Sequence, residues 1–168
     1  HFRSDADSQG PAIGCPTPIT PLTADESGEG ENNTVVKAID NLEAWRRGGT
    51  FSDIGMLWGW RVLAPNAPFD EGVEYDNDEW NKYAILMTDG QSQNFQNDFT
   101  PYGFDEELSA EDINKNLEQI CKNMKGKGIT IYTLTFKEND ADVEETFEDC
   151  ASDPDKAFLN VDSGDQLI

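Results

Sequence analysis

The sequence predicts an α/β fold, a mostly parallel sheet flanked by helices in three layers. Three observations predict it. The segment "YAILMTDG", 83–90, opens with a continuously apolar run, the pattern of a central strand covered on both faces. A second segment, "GITIYTLTF" at 128–136, is rich in β-branched and aromatic residues. Stretches with apolar residues at helical spacing precede, separate and follow these strands, and such alternation implies right-handed crossovers between parallel neighbours.

Taken in order, residues 1–14 are polar, contain Gly and Pro, and read as a loop. "PITPLT", 18–23, is a short extended piece whose prolines suit an edge or a strand end. "ADESGEGENN" follows as an acidic loop. From Thr34, the apolar residues Val35, Ala38, Ile39, Leu42 and Trp45 mark a helix that should stop at Gly48 and Gly49, after Arg46 and Arg47. Ser52 is placed to cap a second helix carrying Ile54, Leu57, Trp58, Arg61 and Val62, which Pro65 terminates. Its Gly55 and Gly59 are poor helix formers, so close packing is expected on that face. Trp45, Trp58 and Trp60 read as core residues before they read as a binding platform. The acidic, Pro-rich stretch 64–80 lacks calcium-loop spacing and reads as a solvated loop.

Beyond the first strand, Ser109 and Asp112 form a capping-box variant. The helix it opens presents Ile113, Leu117, Ile120, Cys121 and Met124, and closes on Lys122, Lys125 and Gly126. After 128–136, a short helix shows Val143, Phe147 and Cys150, and "AFLNV" makes a last strand.

Composition bounds the chemistry. A length of 168 residues suits one domain. Acidic residues number 34 against 12 basic ones, a formal charge of −22, which argues against nucleic acid as a partner. No apolar stretch approaches the roughly 20 residues of a membrane span. A chain that opens His-Phe-Arg reads as a fragment or a processed product, with any membrane anchor or targeting segment outside it. His1 is the single histidine, which sets aside Ser-His-Asp, Cys-His and His-rich metal chemistry. The sequence also lacks a Ser nucleophile elbow and a G-x-G-x-x-G. Three cysteines are present, Cys15, Cys121 and Cys150, without a C-x-x-C.

Two positions attract attention as oxygen donors. Asp89 ends the first strong strand, where ligands collect in open parallel sheets, although Thr-Asp-Gly reads equally as a turn. Thr50 follows two glycines at a helix-to-helix turn and reads either as a ligand or as a helix N-cap. With no soft donor nearby, the metal they would attract is magnesium, manganese or calcium.

In this order, "GGTFSDIGMLWGWRVLAP", "YAILMTDGQSQ", "CKNMKGKGITIYTLTF" and "FEDCASDPDKAFLNVDSGDQL" resemble the carboxyl-terminal portion of a von Willebrand factor type A domain. More narrowly, "LWGWRVLAPNAPF", "PYGF" and Cys-Ala-Ser resemble the bacterial TadE/TadG-like proteins of tight-adherence (Flp) pilus assembly. The resemblance covers residues 15–168 and implies a partial type A domain, Rossmann-like, incomplete at both ends, with 1–14 the remnant of a preceding strand region.

That resemblance implies a metal-ion-dependent adhesion site (MIDAS) in which Thr50 and Asp89 match two of three ligand loops, leaving a position for a partner's carboxylate. The third loop, D-x-S-x-S, is absent from this sequence and is expected upstream, so magnesium binding no tighter than about millimolar is expected here. The implied function is a non-catalytic adhesion or assembly module. Its expected partner is a pilus or cell-envelope protein, and its expected place is the periplasm or cell surface, anchored to the inner membrane. Two other readings stand beside it. One is an α/β enzyme using Asp89 for metal-assisted phosphoryl transfer with carboxylates from "KEND" and "DSGD"; the other is a scaffold without metal. Cys121 and Cys150 lie on the apolar stripes of helices flanking one strand, and are either a disulfide or two buried thiols. An extracytoplasmic location, as the resemblance implies, favours the disulfide, with Cys15 the odd one out.

Overall fold

The computed structural model describes residues 17–24, 34–42, 50–89, 91–93, 108–136 and 140–161. The chain divides into two compact units, His1–Gly48 and Gly49–Ile168.

In the first unit, α1 spans Thr34–Asp40 and buries none of its residues. The expected helix is therefore shorter than its apolar pattern. Leu42 N–H closes on Ile39 O at 3.0 Å, the tight i→i+3 turn of a helix end. Thr34, Val35 and Val36 are weak helix formers, and with Ile39 and Leu42 exposed no burial offsets that cost. The expected stop at Gly48 and Gly49, like Trp45, lies outside the described residues. Segment 17–24 carries no regular secondary structure among the described residues, and Pro18 and Pro21 have no N–H to give a ladder.

The second unit is built on a three-stranded parallel sheet, β1 (Tyr83–Thr88), β2 (Thr130–Phe136) and β3 (Phe158–Val161), in the order β1-β2-β3. Helices α2 (Ser52–Leu63), α3 (Ala110–Lys125), α4 (Ala141–Cys150) and α5 (Pro154–Ala157) flank it. The predicted α/β alternation and parallel pairing hold. The short α5 was not anticipated; Asp153 caps it and Pro154 opens it.

The core gathers Leu117, Cys121 and Met124 of α3, Val143, Phe147 and Cys150 of α4, Met56 of α2 and Ile131 of β2, with Ala84 and Leu86 packed against them. Thr133 Oγ1 donates to Phe147 O at 2.7 Å and fastens α4 to β2 on this face. Cys121 and Cys150 are both fully buried and form a disulfide, with Cα atoms 5.2 Å apart. On the opposite face Tyr83, Ile85 and Met87 are exposed, Ile85 to 76 %. The expectation that β1 is covered on both faces is thus met on one face only by the described residues. Alternation is imposed by the pleat, and a continuous apolar run does not report which side finds a helix.

α3 follows its sequence closely. Ser109 accepts from Asp112 N–H at 3.1 Å, while the Asp112 carboxylate accepts from the Ser109 N–H at 3.0 Å and its hydroxyl at 2.6 Å. These bonds hold the Asp112 carboxyl below its usual pKa. The left-handed residue that ends the turn is Gly128, φ 78°, and Gly126 remains right-handed.

α2 departs from its pattern. Ser52 is the first helical residue and not the cap; Phe51 stands at the N-cap with no side-chain hydrogen bond. The buried residues of the helix are Ser52, Asp53 and Met56, so the covered face is rotated away from Ile54, Trp58 and Arg61. Trp60 packs against the core and donates to Tyr75 Oη at 2.9 Å, whereas Trp58 is 42 % exposed, edge-on to Phe69. Among the described residues, nothing lies within 4 Å of where a Cβ on Gly55 or Gly59 would stand. In place of the expected close packing, a cavity of about 260 Å³ lies between these glycines and the Tyr83–Leu86 stretch of β1.

The loop after α2 is tied down by Lys82, whose Nζ donates to Leu63 O and Val73 O at 2.6 Å each and sits 5.1 Å from the Tyr75 ring centroid. Burial lowers the Lys82 pKa, against the opposing pull of Glu74. Gly72 passes so close to the end of α2 that a Cβ there would collide with the Ala64 and Leu63 carbonyl oxygens. The acidic side chains of this loop, Asp70, Glu71, Glu74, Asp76, Asp78 and Glu79, are exposed.

Candidate metal centre

Parallel strands deliver their carboxyl ends to one edge of the sheet, and the side chains singled out in the sequence lie in the loops there. Asp89 follows Thr88, the last residue of β1, and is exposed. Thr50, half-buried, leads into α2. The two loops are stitched together by an antiparallel bridge: Thr50 N–H donates to Gln93 O at 2.9 Å, and Gln93 N–H donates to Thr50 O at 3.0 Å. Main-chain pairing thus holds Thr50 against the segment that follows Asp89, with the Thr50 backbone already committed.

Several residues around these loops escaped sequence reasoning. Asp53 is fully buried in the first turn of α2, where Oδ1 accepts from Ile54 N–H at 2.8 Å and Oδ2 from Asn116 Nδ2 of α3 at 3.4 Å. An acid in a helix's first turn is favoured by the helix dipole, and that position was the available signal. Ser92 is also buried. Gln91 donates its side-chain amide to Asp140 Oδ2, and Asp140 Oδ1 caps α4 by accepting from Asp142 N–H at 2.9 Å and Val143 N–H at 3.4 Å. Nothing local in the sequence pairs Gln91 with Asp140. Thr88 and Thr135 are register partners near the strand ends, and the fully buried Thr135 Oγ1 has no hydrogen-bond partner among the described residues. A polar group so placed is a natural site for an internal water.

The donor set is all hard oxygen: a hydroxyl from Thr50 and a carboxylate from Asp89. Among the described residues, no three His, Cys, Asp or Glu side chains gather closely enough to hold a metal. These residues fit a hard divalent cation that keeps much of its own water, as magnesium does, and do not form a closed protein cage. Of the further carboxylates considered for phosphoryl transfer, those at 137–139 and 162–165 lie outside the described residues, and Asp140 is engaged in capping α4.

The family model for the von Willebrand factor type A domain matches residues 16–168. The chain belongs to the von Willebrand factor type A domain family. Among solved structures, this type A domain is similar to proximal thread matrix protein 1 from the mussel byssus, with a TM-score of 0.52, 20 % identity, and coverage of 79 % of this chain and 27 % of that one. A second crystal form of the same protein gives a TM-score of 0.53 at 19 % identity. A form described as having a zinc-occupied MIDAS motif gives 0.52 at 17 %. At these identities the likeness concerns the fold, and this chain spans about a quarter of the length of those chains. No curated protein matches the sequence.

Proposed function

We propose that this type A domain is a non-catalytic, divalent-cation-dependent protein-binding module. In this reading Thr50 and Asp89 are the chain's own metal ligands, Thr50 through its hydroxyl and Asp89 directly or through a water. The observation that carries it is the two-bond bridge between Thr50 and Gln93, which sets the two oxygen-donor loops side by side at the carboxyl end of a parallel sheet. The cation would polarise and hold a partner's carboxylate, while the chain's residues fix where it sits.

The finer reading is an envelope protein of the TadE/TadG-like, pilus-assembly kind, periplasmic or at the cell surface, binding magnesium and a pilus or envelope partner. The segments "LWGWRVL" and "CASDP" support that assignment, and the Cys121–Cys150 disulfide supports a location outside a reducing cytosol.

Titration calorimetry tests the metal reading. Magnesium added to this chain is expected to bind no tighter than about millimolar, since two protein donors leave most positions to water. Asp89→Ala should remove that heat while leaving the unfolding midpoint nearly unchanged. Equal heats from wild type and Asp89→Ala would overturn the assignment, and parallel titrations with manganese, calcium and zinc would rank the cations.

A further inference from the structure

We propose that Gln91, Ser92 and Gln93 form a clip, and that the Gln91–Asp140 hydrogen bond is the positioning contact that keeps the Thr50 and Asp89 loops in register. Its purpose rests on the metal reading above, but its geometry does not.

Each residue of the clip makes a different attachment. Gln93 is bonded through its backbone to Thr50 on one side. Ser92, 3 % exposed, is buried in the middle. Gln91 reaches through its side chain to Asp140 on the other side. Asp140 is a firm anchor because it caps α4, and α4 is fixed at its far end by the Cys121–Cys150 disulfide and along its length by the Thr133–Phe147 hydrogen bond. The segment just beyond Asp89 is thereby suspended between the start of α2 and the start of α4. Hydrogen bonds to an ionised carboxylate are about twice as strong as neutral ones, so Gln91–Asp140 is a strong side-chain tether on the loop. The same geometry spends both Asp140 oxygens on protein donors, one on the α4 cap and one on Gln91. Asp140 is then withheld from the cation, and of these two described carboxylates Asp89 is the one on offer.

A double-mutant cycle tests the clip in the metal-free chain, read by exchange of the Thr50 and Gln93 amide hydrogens. Gln91→Glu faces a carboxylate with a carboxylate, and Gln91→Ala simply removes the donor. Both should speed exchange at those two amides by about 10-fold, the effect of losing one hydrogen bond to a charged group. Asp140→Asn alone should fall between wild type and the Gln91 variants, because an Asn still caps the helix and the Gln91 amide can turn over to accept, but the bond is no longer charge-assisted. Gln91→Glu combined with Asp140→Asn restores a donor–acceptor pair with the roles reversed, and should return exchange to the wild-type rate. Unchanged exchange in both single Gln91 variants, or no recovery in the double variant, overturns the proposal.

A second arm measures the magnesium midpoint. Gln91→Glu should weaken it although a negative charge has been added, whereas an effect of charge alone would tighten it. Tightening would overturn the positioning role. If exchange responds as stated and wild type shows no magnesium heat, the metal reading fails and the clip stands.

Discussion

α3 and α2 pack against each other and both contribute to the core, but they are helices of different kinds. α3 is specified by its own residues: a reciprocal capping box at Ser109 and Asp112, four buried apolar residues at helical spacing, and lysines in its last turn. α2 has no side-chain cap, a fully buried Asp53, and a Gly55 and Gly59 against which none of the described residues packs. α3 starts on its own cap at Ser109, whereas α2 begins beside Thr50 and its buried Asp53 accepts from Asn116 of α3. A helix start that must present backbone and oxygen donors to a neighbouring loop is held by that loop, not by a cap of its own.

The largest way to break this comparison lies on the α3 side. Replacing Cys121 and Cys150 together with Ala removes a cross-link between residues 29 apart, and should cost about 3 to 4 kcal/mol in the chain-entropy description. Denaturant unfolding under non-reducing conditions measures it, and a loss below 1 kcal/mol would show that packing, not the bond, secures α3 to α4. Non-reducing peptide mapping should recover Cys121 joined to Cys150, with Cys15 alone open to alkylation.

Asp53→Ala probes the α2 side. It leaves Ile54 N–H and Asn116 without the carboxylate they share, an expected loss of about 1 to 3 kcal/mol. Asp53→Asn, which keeps an acceptor for Ile54, should lose less. If the two variants unfold alike, the negative charge and not the hydrogen bond holds the start of α2.

Ser109→Ala removes the α3 cap and should cost about 1 kcal/mol. The same cap carries a pH signature. Because the folded Asp112 carboxyl titrates below its ordinary value of 3.8, its contribution is present above that value and is lost as the pH falls through the lowered folded pKa. Acid unfolding curves of wild type and Ser109→Ala should therefore converge in that window and diverge above it.

The smallest effect sharpens the contrast from the other direction. Gly55→Ala and Gly59→Ala should each stabilise α2 by about 0.5 to 1 kcal/mol, since open space receives the methyl groups and Ala is the better helix former. Destabilisation by either would show that another chain segment fills the cavity beside β1 in solution.

What the sequence determined by itself was whatever depends on near neighbours along the chain. The alternation of apolar periods gave β1, α3, β2, α4 and β3 in order, and Ser109 with Asp112 marked the start of α3 because a capping box closes within one turn. Thr50 and Asp89 were legible as candidates because a carboxylate at a strand end and a hydroxyl before a helix are local features. That their two loops are joined was not, since it depends on the Thr50–Gln93 bridge between segments distant in sequence. Tertiary structure also decided which face of α2 is buried, why Asp53 is tolerated there, and how Gln91 meets Asp140. β1 shows the division most plainly: residues 83–87 form one unbroken apolar run, yet Leu86 packs on the core while Ile85 is 76 % exposed. Hydrophobicity is a property of the residue, and burial is a property of what stands opposite it.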